Sequence, residues 1–133
     1  MTKKLKLEEL GRIDVETFKK TPKISLVVIL DNVRSMHNVG AIFRTADAFL
    51  IEKIYLCGIT ATPPNKEIRK TALGATESVD WEYVEDCGEL VQKLKSDGFT
   101  ILAIEQTEGS TSLSEFELTS NEKYAVVFGN EVE

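Results

Sequence analysis

One short run of apolar residues constrains this chain more than anything else in it. Ser25 to Leu30 reads as a buried strand, because Leu26-Val27-Val28-Ile29-Leu30 shows no polar alternation. The run stops abruptly in amide, guanidinium and imidazole groups: Asn32, Arg34, His37 and Asn38. A helical pattern then begins near Asn38, a residue type favoured at helix caps. On that helix Val39, Ile42, Phe43, Ala46, Phe49 and Leu50 follow the spacing of a buried stripe. Gly40, Arg44 and Asp47 fall on another face, small near the loop and charged one turn later. A glycine in a first turn costs roughly 1 kcal/mol against alanine, and it permits close approach of a ligand or of backbone. An ordinary amphipathic helix would account for a lone surface arginine. Asn32, Arg34, His37, Asn38 and Gly40 crowded on one strand-to-helix turn point to a functional site.

Length and charge narrow the alternatives. A chain of 133 residues suits one domain, and 42% apolar with 29% charged residues describes a folded, water-compatible protein. The longest aliphatic run, Leu26 to Leu30, is far too short to span a bilayer, and no apolar segment follows Met1-Thr2-Lys3-Lys4. The expectation is a cytoplasmic protein without a membrane partner. Cys57 and Cys87 form no Cys-x-x-Cys pair, and with His37 as the single histidine no tetrahedral zinc set exists, so no metal is expected. Both thiols are expected to be reduced.

The net charge of −6 argues against a general polyanion binder, but it is unevenly spread. Residues 1–23 carry seven basic and four acidic groups, a net of +3, and the remaining 110 carry nine basic and eighteen acidic, a net of −9. The expected organisation is a basic helical arm over 1–23 followed by a domain over 24–133. An acidic body with a basic arm can still meet nucleic acid through a local patch. A solvated arm would give the same charge pattern.

Along the chain, residues 3–20 look helical and end at Thr21-Pro22. Strands are expected at Ser25–Leu30, Lys53–Cys57, Trp81–Val84, Thr100–Ile104 and Tyr124–Phe128. Helices are expected from Asn38 to about Leu50, from an Asn65 cap to about Leu73, and over Glu85–Ser96. Lys66, Arg69 and Lys70 lie on or near one face of the second of these, and Gly74 closes it. Glu105 to Glu122 is polar and punctuated by Gly109. This alternation implies an α/β fold with a mostly parallel sheet flanked by helices.

In such sheets ligands gather beyond the carboxyl ends of the strands. Two ends are chemically loaded: Asp31–Asn38 after the first strand and Gly129–Glu131 after the last. There is no Gly-x-Gly-x-x-Gly after a strand, no phosphate-binding Gly-x-x-x-x-Gly-Lys-Ser/Thr and no Gly-x-Ser-x-Gly elbow.

The stretch Asn32-Val33-Arg34-Ser35-Met36-His37-Asn38-Val39-Gly40-Ala41-Ile42-Phe43-Arg44-Thr45-Ala46-Asp47-Ala48-Phe49 closely resembles the first signature motif of the SpoU/TrmH RNA 2′-O-ribose methyltransferases. Val126-Val127-Phe128-Gly129-Asn130-Glu131 resembles the start of that family's second motif, and Thr71-Ala72-Leu73-Gly74-Ala75 sits where such proteins carry a similar segment. The likeness spans about residues 24–133. It implies a SPOUT-type α/β knot fold, S-adenosyl-L-methionine as cofactor, a tRNA or rRNA substrate and a homodimer. It also implies catalytic roles for Arg44, Asn38 and Glu131, and a cofactor pocket built in part by Gly129, Asn130 and Glu131. Asn32, Arg34, His37, Lys66, Arg69 and Lys70 are the residues expected to meet RNA.

By the family pattern Arg44 would act at the ribose 2′-hydroxyl and Asn38 would hold the geometry. Arg44 as the proton acceptor and Arg44 as a phosphate clamp are both open at this level. Guanidinium stays protonated with a pKa above ~12, which favours the clamp. The family's third motif, a Ser-Leu-Asn-type turn before a last helix, does not occur in these 133 residues. A chain ending at Glu133 is therefore expected not to tie the knot and to bind cofactor weakly. That absence would also suit a rival reading, a non-catalytic RNA-binding or assembly module on the same fold. A receiver-type signalling domain wants an acidic cluster that Asp31 alone does not supply. Micromolar cofactor affinity measured by calorimetry on the 133-residue chain would overturn the expectation of weak binding.

Overall fold

The computed structural model describes residues 15–104 and 122–129. Helix α1 (Val15–Lys20) leads into β1 (Ile24–Asp31), α2 (Met36–Ala48) and β2 (Ile51–Cys57). Then come α3 (Lys66–Ala72), the single turn α4 (Ala75–Ser78), β3 (Trp81–Val84), α5 (Cys87–Ser96), β4 (Phe99–Ile104) and β5 (Lys123–Gly129). Among the described residues the strands form one sheet in the order β3-β2-β1-β5-β4, with every pairing parallel.

The unbroken apolar run of β1 follows from its place at the centre. Alternate strand residues face opposite sides. Leu26, Val28 and Leu30 enter the larger core with Val39, Phe43, Ile68 and Val79, while Val27 and Ile29 enter a second core with Leu90 and Leu94 of α5. Helices α2, α3 and α4 cover the first face and α5 the second. A strand covered on both faces needs apolar side chains at consecutive positions, so its sequence loses the period of two. Phe18 of α1 is 1% exposed and belongs to the larger core, so residues 15–20 pack onto the sheet rather than standing off it. The other residues of the expected arm, 1–14, lie outside the described set, as does the polar stretch 105–121.

Three local expectations need correction. Ser35, not Asn38, caps α2: its backbone is extended (φ −75°, ψ 111°) and its Oγ accepts from the Asn38 N–H at 3.1 Å. Asn38 therefore sits inside the first turn. Phe49, expected in the buried stripe, is 66% exposed. Helix α2 ends at Ala48, and Leu50 at φ 55° swings the chain toward β2, which leaves Phe49 outside the helical period. Asp47, expected on a charged outer face, is 4% exposed.

Gly40 shows why a poor helix former stands in the first turns of α2. A Cβ there would lie 2.0 Å from Thr71 Oγ1 and 2.3 Å from the Ile68 carbonyl oxygen of α3. The close approach is to the Thr71 hydroxyl and to α3 backbone, and it lets two helices meet at nearly contact distance. Asn65 caps α3 as its sequence suggests, accepting from the Glu67 and Ile68 N–H groups at 2.9 and 3.1 Å. Gly74 follows at φ 91°, a conformation glycine takes without strain.

The Ile68 carbonyl that a Cβ at Gly40 would meet is backbone and cannot rotate away as the Thr71 side chain can. Gly40→Ala is expected to lower stability by about 1–3 kcal/mol through overpacking, measured by urea denaturation. Gly88→Ala on α5, where a Cβ would meet only Asp86 Oδ1 at 3.3 Å, should cost less than Gly40→Ala.

Candidate active site

The polar turn after β1 is held in one shape from the loop after β2. Asn32 takes a left-handed backbone conformation (φ 51°), which asparagine tolerates better than most residues. Its N–H donates to the Cys57 carbonyl at 3.2 Å, and its Oδ1 accepts from the Ile59 N–H at 2.9 Å. Thr60, 3% exposed, accepts from the Val33 N–H at 2.9 Å and donates to the Leu30 carbonyl at 3.0 Å. The Tyr83 hydroxyl donates to the Gly58 carbonyl at 2.7 Å and steadies that second loop. The backbone groups freed where β1 ends are thus satisfied by side chains, as burial requires.

Helix α2 leaves this turn under the Ser35 cap. Its first turns are pinned to α3, where Thr71 Oγ1 donates to the His37 carbonyl at 2.9 Å. The side chains of Arg34, His37, Asn38 and Arg44 are exposed. Arg44 lies six residues beyond Asn38, about 9 Å along the helix at 1.5 Å per residue. Among the described residues no carboxylate pairs with its guanidinium. Lys66, Arg69 and Lys70 are exposed on α3, whose inner residues Ile68 and Ala72 are buried. Lys70 already meets Glu67 at 3.1 Å, so Lys66 and Arg69 carry most of the uncompensated charge of that cluster.

A cleft of about 650 Å³ opens beside the same turn, on the side of β2, β3 and α5. Asn32 and Gly58 line it together with Asp31, Glu85, Asp86 and Glu89. Four carboxylates make it unfavourable for a phosphate backbone. The turn therefore separates an acidic cleft from the cationic surfaces of α2 and α3, with Asn32 at the cleft edge. Among the described residues no cluster of three metal-binding side chains occurs, and no helix is long and apolar enough to cross a membrane.

At the mouth of the sheet Asp31 pairs in register with Cys57 on one side and Gly129 on the other. Gly129 has φ 117°, and a Cβ there would stand 2.1 Å from the Asp31 carbonyl oxygen. The roots of the two loaded strand ends therefore touch. Asn130 and Glu131 lie outside the described residues. The free thiols Cys57 and Cys87 also lie at this place, close enough to Asp31 to feel its charge. Burial, then the neighbouring Cys87 sulfur, pushes the Cys57 thiol up to about 12. Burial and the Asp31 charge raise Cys87 as well.

The structure thus brings Asn32, Arg34, His37 and Asn38 together on the turn and first helical residues, and sets Arg44, Lys66 and Arg69 on the adjoining helices. Sequence reasoning missed Thr60 and Tyr83. Neither lies in a motif, although a threonine two residues past a strand-ending glycine is the type that closes loops through its hydroxyl.

An all-parallel α/β sheet with its polar residues gathered at the strand ends and on the following helix defines the class. The sequence profile of the SpoU rRNA Methylase family matches residues 25–133, and the chain belongs to that family. It is 30% identical over 128 residues to the 23S rRNA (guanosine-2′-O-)-methyltransferase RlmB of Coxiella burnetii, an alignment covering 93% of this chain and 50% of that protein. The fold is that of the SpoU/TrmH methyltransferases. The A. aeolicus TrmH/SpoU tRNA modifying enzyme superposes with a TM-score of 0.69 at 25% identity, over 89% of this chain and 61% of that one. An rRNA methyltransferase from Sinorhizobium meliloti gives 0.69 at 25% identity, over 82% of this chain and 41% of that one. The chain spans about half the length of the curated relatives it matches, 44% and 50% for two of them.

The raised Cys57 thiol has a measurable consequence. A thiol that ionises less readily in the fold than in the unfolded chain contributes stability that is complete below the ordinary thiol range. That contribution is lost as pH climbs toward about 12. Unfolding free energy should fall between pH 8 and 10.5, and fall less steeply in Cys57→Ala. At pH 8 iodoacetamide should label Cys87 well before Cys57 in the native protein.

Proposed function

We propose that this chain carries out, or forms the core of a protein that carries out, S-adenosylmethionine-dependent 2′-O-methylation of ribose in tRNA or rRNA. The single observation that carries the reading is the coincidence of the family's first motif with a locked turn at the strand ends. That turn presents Asn38 and then Arg44 from one rigid helix. RlmB, which shares 30% of its aligned residues with this chain, is named for guanosine 2′-O-methylation, and two structural relatives of this fold are described as binding AdoMet.

The cofactor, when bound, supplies an electrophilic methyl group on a sulfonium. Gly129 fits such a ligand in one respect: with no side chain, it leaves the strand ends beside Asp31 uncrowded. Asn130 and Glu131 complete the proposed pocket. Transfer to a hydroxyl asks chiefly for alignment of oxygen, methyl carbon and sulfur, an orientation effect. A guanidinium is a donor and not a proton acceptor, so the part proposed for Arg44 is to grip a phosphate through two parallel N–H groups and to stabilise charge developing on the ribose oxygen. Asn38, one and two-thirds turns earlier, holds the nucleotide or the turn itself. Lys66 and Arg69 on α3 add backbone attraction away from the acidic cleft. Arg34 and His37 extend that cationic and polar rim, and a homodimer doubles it.

Methyl transfer from labelled cofactor to bulk tRNA and rRNA tests the reading. Arg44→Ala should lower turnover by about 10²–10³-fold, the range found for loss of one charge-stabilising donor. Arg44→Lys keeps the charge but loses the fork, and should remain strongly impaired. Near-normal turnover in Arg44→Lys would refute the clamp. RNA binding without transfer in the wild type would favour a non-catalytic module. Replacing Lys66 or Arg69 by Gln should reduce the slope of log affinity against log salt by about 1 for each phosphate no longer neutralised.

A further inference from the structure

The loop after β2 grips the first motif through one buried hydroxyl, and that hydroxyl belongs to no motif. Thr60 Oγ1 spans the bend where β1 stops, donating to Leu30 and accepting from Val33, whose side chain is itself only 4% exposed. Val33 lies two residues before the Ser35 cap. A shift of its amide is therefore passed, across one residue, to the start of α2. Next to it, Asn32 is held in its left-handed conformation by Ile59, and Gly58 must lack a Cβ, which would meet Asn32 Oδ1 at 2.0 Å. Three consecutive residues, Gly58, Ile59 and Thr60, thus act as a mould for the turn.

We propose that Thr60 is a positioning residue of the methyl-transfer site. Its hydroxyl fixes the Val33 amide, and through it the angle at which α2 leaves the sheet and the places of Asn38 and Arg44. The inference rests on the functional reading above. Thr60 touches no substrate. It acts by removing freedom from a turn whose displacement by about 1 Å is enough to cost on the order of 10²-fold in rate.

The test compares Thr60→Ser, which keeps the hydroxyl, with Thr60→Val, which keeps the shape. Thr60→Ser should leave kcat within about twofold, whereas Thr60→Val should lower it by about 10²-fold with little change in RNA affinity. Leu94→Ala, a buried change in the second core away from the turn, controls for simple destabilisation and should leave kcat near normal at temperatures where it is folded. Tyr83 is 45% exposed, so Tyr83→Phe should fold even if Thr60→Val does not. It frees the Gly58 carbonyl and should give a smaller kcat loss in the same direction. Normal kcat in Thr60→Val or, where that variant does not fold, in Tyr83→Phe would overturn the proposal, as would an equal loss in Leu94→Ala. If the wild type transfers no methyl group, the functional reading fails. Amide chemical shifts of Asn38 and Arg44 then decide the positional claim separately. They should move in Thr60→Val and not in Thr60→Ser, and unmoved shifts in both would overturn it.

Discussion

A strand buried on both faces has only its ends to offer to solvent, and in this protein that strand is β1. Its side chains feed two cores at once, and its neighbours β2 and β5 take up its edges. Everything polar that the chain places near it is therefore pushed to the carboxyl end. There the hydrogen-bonding ladder stops and the backbone needs new partners. Asn32, Thr60 and the Ser35 cap meet that need, and the same demand for satisfied groups fixes the orientation of α2. Site geometry follows from backbone accounting more than from any contact between functional side chains.

Electrostatics then divide the surface around that end. The cleft beside β2, β3 and α5 is lined by carboxylates, while the cations stand on α2 and α3. A polyanion approaching a chain of net charge −6 would be repelled by most of it. Its favourable approach is along the helices that carry Arg44, Lys66 and Arg69. The Gly40 contact ties those two helices into one body, so their charges keep a fixed spacing.

Much of this was legible in the sequence, for identifiable reasons. The five strands fall where apolar runs of the right length occur, and Asn65 and Gly74 mark the limits of α3 as their chemistry requires. The parallel character of the sheet followed from the strand–helix alternation. What misled was local. Asn38 looks like a cap, but Ser35 reaches the helix start first, and Phe49 keeps the apolar period one residue after the helix has ended. Thr60 and Tyr83 were invisible because their roles depend on which loops the sheet order places side by side. Of the second motif, Val126 to Gly129 form the end of β5, while Asn130 and Glu131 lie outside the described residues.

The sheet order carries a kinetic consequence. Among the described residues β1 is the first strand, yet one of its two neighbours, β5, pairs with it from far along the chain, with Leu26 opposite Tyr124. Contacts so distant along the chain close late, because the entropy of a long loop must be overcome before they stabilise anything. β1, β2 and β3 can associate soon after synthesis, whereas the juncture of Asp31 with Gly129 waits for β5. Until β5 is made, a nascent chain would thus expose one flank of β1. The two polar strand ends would first meet when β5 docks beside β1.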